Sequence, residues 1–219
     1  MSGQSVATIT FFSAAHLFGI AQDVVERLRH RPDRDSGSPE ACVAILFAAA
    51  SVEAFANEVG YIARESLQSS TEIRSLGALF EELEASASVQ SKFLLLRALL
   101  AKKPYDKGAS PYQDFSLLIA LRNELVHRKA ERHEVDIMHA PLTTNALLER
   151  LRSKNITAER RSLVPLVEGF FPAIETPAVA KWALTTAAAL MKDVAAVAPA
   201  ELRSQLEVRY PLILKYAAV

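Results

Sequence analysis

The chain is 219 residues long, carries 25 Lys+Arg against 25 Asp+Glu, and is 50% hydrophobic. A neutral chain with that much apolar surface to bury is neither an acidic disordered segment nor a histone-like polycation, which leaves a folded globular protein. Seven Gly stand against 36 Ala, and so many strong helix formers with so few chain-reversing residues predict an all-α fold.

In chain order, the N-terminal 30 residues predict a first helix. Their apolar stretch TITFFSAAHLFGI has no basic region in front of it, which a secretory signal needs. Arg27 to Ser38 reads as an exposed linker, so residues 1–37 form an N-terminal helical appendage and residues 38–219 a single helical domain. Three helix starts share one chemistry: a hydroxyl residue at the cap and proline in the first helical position, where its missing N–H costs nothing. They are Ser38-Pro39, Ser110-Pro111 and Thr176-Pro177. At the second, Gln113 stands three residues after Ser110 and completes a capping box.

The first start opens a helix from about Pro39 to Leu67. Its most apolar run, Ala41 to Val52, is twelve residues, short of the roughly 18 that a membrane span requires. Cys42 lies inside that run. As the single cysteine it forms no internal disulfide, and its apolar neighbours predict an inert thiol; both features fit a reducing cytoplasm. Val52, Phe55, Val59 and Ile62 share one face, and Glu53 and Asn57 lie one turn apart on another. Shorter helical periods follow at Leu79 to Leu83 and Lys92 to Leu100, then a loop over Lys103 to Ala109 with Pro104 and Gly108 as breakers. The helix from Pro111 to about Lys129 comes next. Leu142 to Leu151 and Pro177 to Val197 supply two more, joined by the Pro/Gly-containing VPLVEGFFPAIETP. The C-terminal 25 residues are apolar enough to complete the bundle or a dimer interface.

The helix after Ser110-Pro111 carries the chemistry. Leu118, Leu121 and Leu125 form its buried stripe, and Arg122, Asn123, His127, Arg128 and Lys129 crowd its last two turns. At about 100° per residue, Asn123 and His127 are roughly 40° apart, while Arg122 and His127 are roughly 140° apart. An imidazole exchanges protons near neutral pH and a guanidinium holds phosphate oxygens, the two groups that phosphodiester cleavage uses. Plain alternatives also exist. Arg122 can pair with Asp114 or Glu124, His127 can be a helix-end cation, and Glu53 and Asn57 can be structural hydrogen-bonding groups that line the same cleft. His127, His133 and His139 recur every six residues, but that spacing splays them by roughly 240° on a helix, and neither a Cys ligand set nor an HExxH pattern supports zinc. No metal and no cofactor is expected. The absence of a glycine-rich phosphate loop argues against an ATPase or a Rossmann enzyme. His16 and His30 are isolated, and Trp182 fits core packing.

RNELVH, with its arginine, polar residue and histidine, resembles the signature of the HEPN (higher eukaryotes and prokaryotes nucleotide-binding) superfamily. SVEAFAN, residues 51–57, is similar to the second-helix pattern of one prokaryotic branch, and TPAVAKWALTTAAALM is similar more distantly. The resemblance spans Ala41 to about Met191. It implies a HEPN-like helical bundle with additional N- and C-terminal helices, acting as a homodimer in which two copies of the motif face each other. It implies further a metal-independent endoribonuclease of a toxin-antitoxin, phage-defence or RNA-processing system, with RNA as substrate and an antitoxin or regulatory protein as a possible partner. Arg122 and His127 would be the catalytic pair, Asn123 would orient them, and Arg128 and Lys129 would hold RNA. Some relatives bind a nucleotide or a protein without catalysis.

Charge divides unevenly along the chain. Residues 1–91 hold 6 basic and 12 acidic groups, residues 92–132 hold 9 and 4, and residues 133–219 hold 10 and 9. The basic excess falls on the segment with RNELVH, which predicts local rather than indiscriminate contact with a phosphate backbone.

Overall fold

The structure, a computed structural model, describes residues 10–31, 37–65, 71–83, 86–127, 145–157 and 170–217. Every regular element among them is a helix: α1 (Ala14–Arg29), α2 (Glu40–Glu65), α3 (Thr71–Leu83), α4 (Val89–Ala101), α5 (Tyr112–His127), α6 (Ala146–Ser153), α7 (Phe170–Ile174), α8 (Pro177–Val197), α9 (Ala200–Arg209) and α10 (Pro211–Leu214). The protein is all-α, as its composition predicts.

The α2 helix is the axis of the bundle, in contact with α1, α3, α4, α5, α8 and α9. Its predicted face is buried: Val52, Phe55 and Val59 are 0% exposed and Ile62 4%. The alanines explain how so many helices reach it. Ala41, Ala44, Ala48 and Ala49 of α2 and Ala180, Ala183 and Ala187 of α8 are fully buried, and such small side chains let helix axes approach closely while paying no rotamer entropy. Ala14, Phe18 and Ala21 of α1 belong to the same core, so the helix of the N-terminal appendage packs as a full member of the bundle. At the other end of the chain Tyr210 and Ile213 are fully buried, and the Tyr210 ring meets Phe55 edge-on at 5.1 Å. The C-terminal segment thus completes the bundle.

Taken as a helix rather than as an uninterrupted run, α2 is longer and more apolar than the twelve-residue count implied. Among the described residues it is the one helix long and apolar enough to cross a membrane, and half of its most apolar window is buried inside the protein. The polar groups that interrupt it past Val52 are bonded to other elements: Glu53 to Arg122, Asn57 to Lys92, Glu58 to Tyr210. That pattern is one of a core helix.

The predicted helix starts are realised unequally. Thr176 caps α8, its hydroxyl accepting from Val179 N–H at 3.2 Å with Pro177 in the first turn. Ser38 instead receives Arg31 Nη1 at 2.5 Å and donates to Glu40. The capping box at Ser110 does not form. The Ser110 hydroxyl donates to Asp114, and Gln113 Oε1 accepts from Lys154 Nζ at 2.6 Å, the same ammonium that pairs with Asp114 at 2.7 Å. The Gln113 N–H donates instead to the Ala109 carbonyl at 2.9 Å, and the full charge arriving from the end of α6 outcompetes the backbone amide for the Gln113 side chain. The connection before α8 contains the short helix α7, and its residues 164–169 lie outside the described residues, as do Leu142 and Leu67.

Candidate functional site

The α5 helix is held by its apolar side. Phe115, Leu117, Leu118 and Leu121 are fully buried, Leu125 is half-buried and packed on the core, and Phe93 of α4 lies 5.1 Å from Phe115 between ring centroids. With that face fixed, helical geometry decides where the polar residues go. Asn123 and His127, one turn apart, are exposed, and so is Val126 at 55%. Arg122 points the other way, half-buried against α2, where its Nη2 donates to Glu53 Oε2 at 2.9 Å. Neither Asp114 nor Glu124 takes that guanidinium; Asp114 is held by Lys154. Among the described residues no hydrogen bond or ion pair joins Arg122 to His127, in keeping with their angular separation on the helix.

One turn beyond Glu53, Asn57 Oδ1 accepts from Lys92 Nζ at 2.8 Å, and Lys92 is only 2% exposed. The two polar side chains of α2 therefore tie α5 and α4 to the central helix at adjacent levels. Lys92 was not singled out from the sequence, yet its position was legible: with Val89 and Leu96 it shares the buried stripe of α4 at spacings of three and four.

Glu53 and Asn57 also line a cleft of about 690 Å³ between the segment leading into α1, α2 and α3. Glu58 and Glu81 line it too, so its lining carries three carboxylates against the one guanidinium of Arg64 and is acidic on balance. Arg122, Asn123 and His127 do not line it. The exposed end of α5 and the acidic cleft are separate surfaces, with the Glu53–Arg122 ion pair between them.

Arg128 and Lys129 lie outside the described residues, as do His133 and His139. Among the described residues no group of three or more His, Cys, Asp or Glu is placed to hold a metal ion. Burial, reinforced by the Glu175 carboxylate, pushes the Cys42 thiol up to about 11, which keeps it protonated at neutral pH. His16 is exposed, and His30 meets Glu26 at 2.8 Å on the surface. Trp182 packs half-buried against the core. No family model, curated protein or solved structure matches the chain.

Proposed function

We propose that this protein is a cytoplasmic, homodimeric, HEPN-like endoribonuclease that cleaves RNA without a metal ion, within a toxin-antitoxin or phage-defence system. The observation that carries this reading is the arrangement of RNELVH on α5: Asn123 and His127 stand exposed on one face, and the Arg122 guanidinium is held at Nη2 by Glu53. In the reaction, His127 accepts the proton of the ribose 2′-hydroxyl or returns one to the departing 5′-oxygen. The 2′-oxygen attacks phosphorus, the bond to the 5′-oxygen breaks, and the products are a 2′,3′-cyclic phosphate and a 5′-hydroxyl. Arg122 stabilises the charge that builds on the phosphate oxygens, and Asn123 orients the imidazole. Because Arg122 and His127 leave α5 in different directions, the pair is best completed between two copies, Arg122 of one serving His127 of the other. The exposed Val126 between Asn123 and His127 supports such a contact. Arg128 and Lys129 extend the basic surface toward the RNA backbone.

Purified protein in EDTA should cleave mixed single-stranded RNA, and His127→Ala and Arg122→Ala should each slow cleavage by about 10²-fold or more, with melting temperatures measured alongside. Equal cleavage by all three proteins would remove these residues from the mechanism. No cleavage by any favours the second reading, a non-catalytic dimeric helical module that binds a nucleotide or a protein partner such as an antitoxin. The observation on its side is that the Arg122 guanidinium is already engaged by a carboxylate.

A further inference from the structure

Resting on the proposed ribonuclease, we infer that Glu53 is the positioning residue of Arg122, setting where its guanidinium meets the scissile phosphate. Arginine has a long stem with several rotatable bonds, and left alone it samples many rotamers. Here one carboxylate oxygen, Glu53 Oε2, accepts from Nη2 at 2.9 Å. A guanidinium offers five N–H donors in a planar fork. Engaged at one nitrogen, it retains a further edge for phosphate oxygens, in an orientation that the contact fixes. The side chains are 26% exposed for Arg122 and 46% for Glu53, so the pair is reachable by a ligand rather than sealed in the core.

Glu53 is itself well held. It projects from the central helix, whose neighbouring turns are immobilised by fully buried Val52, Phe55 and Ala56. Asn57, one turn on, is held by the buried Lys92. The anchor of the guanidinium therefore sits on the most constrained element of the fold, where preorganisation of a charged donor is most effective. A second ion pair offers a comparison. Arg97 and Asp193 meet at 2.9 Å between α4 and α8, with Tyr105 donating to the same carboxylate at 2.7 Å, and neither end carries a proposed reacting group.

The test measures kcat and KM on a single-stranded reporter RNA in EDTA, with melting temperature, for the full-length wild type, Glu53→Ala, Glu53→Gln and Asp193→Ala. Glu53→Ala should lower kcat by about 10- to 100-fold, the range that misplacement of a catalytic group produces, with KM changed little. Glu53→Gln, which keeps an acceptor oxygen for Nη2, should recover most of that loss. Asp193→Ala should lower the melting temperature while keeping kcat. Wild-type kcat in Glu53→Ala, no recovery in Glu53→Gln, or an equal kcat loss in Asp193→Ala would overturn the role of Glu53 and leave the Arg122 and His127 assignment standing. A wild type that cleaves no RNA overturns both.

Discussion

The Glu58 carboxylate closes both ends of the described chain onto the central helix. Its Oε1 accepts from Ser13 N–H at 2.5 Å, Ala14 N–H at 3.1 Å and the Ser13 hydroxyl at 3.0 Å; its Oε2 accepts from the Tyr210 hydroxyl at 2.7 Å. Ser13 makes no side-chain cap of its own, so a residue 45 positions away caps α1. Replacing Glu58 by Ala removes that cap and strands a hydroxyl on a fully buried tyrosine. The expected cost is about 2–4 kcal/mol, combining a lost cap with a buried unsatisfied donor, read as a shift of the urea midpoint. Adding Tyr210→Phe should cost less than it does in the wild type, because the stranded hydroxyl is gone; strictly additive losses would refute the coupling. The same distance in sequence explains what of the site was legible. RNELVH announced itself because its residues are local to one helix, and Lys92 could have been found from the α4 stripe. The Glu53–Arg122 pair spans 69 positions, and the sequence offered Asp114 and Glu124 as nearer carboxylates. Only the packing of α5 against α2 chooses among them.

At the scale of elements, α2 and α3 lie closer together than side chains ordinarily permit. A Cβ added at Gly77 would stand 2.5 Å from the Arg64 backbone nitrogen, and one added at Gly60 2.5 Å from Phe80 Cβ. Alanine at Gly77 gains helix propensity of about 1 kcal/mol but forces two helix backbones apart, and overpacking of that kind costs about 1–3 kcal/mol. Gly77→Ala is therefore expected to be destabilised despite its better propensity. Gly19→Ala in α1, where the nearest atom is 3.8 Å away, should keep the propensity gain and melt higher. If both variants melt higher in thermal denaturation, the close approach of α2 and α3 is not a constraint. The helices themselves were largely readable. The predicted α8, Pro177 to Val197, matches the observed bounds, and α5 begins one residue after the predicted Pro111. What failed was the capping box at Ser110, because a local motif gives no notice of a lysine arriving from α6. The α3 helix also extends beyond its apolar period: it starts at Thr71, eight residues before Leu79.

The whole molecule carries one pH response that follows from how it buries its phenols. Tyr105, Tyr112, Tyr210 and Tyr216 all have their hydroxyls pushed above the usual tyrosine range, burial being the largest cause in each. Asp193 beside Tyr105 and Glu58 beside Tyr210 push in the same direction. Cys42 joins them, raised to about 11. In the unfolded chain these groups ionise at about 8.5 for the thiol and about 10 for the phenols. Above those values the unfolded state binds fewer protons than the folded one, so stability falls with rising pH. Their contribution is fully present below about pH 8.5, begins to erode as the unfolded thiol ionises, and drops steeply once the unfolded phenols ionise above about pH 10. The melting temperature, followed by circular dichroism, should decline progressively above about pH 9, and the absorbance of tyrosinate from these four residues should appear together with unfolding rather than before it. Tyr105→Phe and Tyr210→Phe should each flatten the decline, since phenylalanine has no proton to lose in either state. The Tyr210 variant also removes a donor that Glu58 accepts, so its stability at neutral pH sets the baseline for its own curve. Should all the tyrosines titrate near pH 10 in protein that is still folded, the buried hydroxyls would not be held protonated by the fold, and the alkaline limit would have to come from elsewhere.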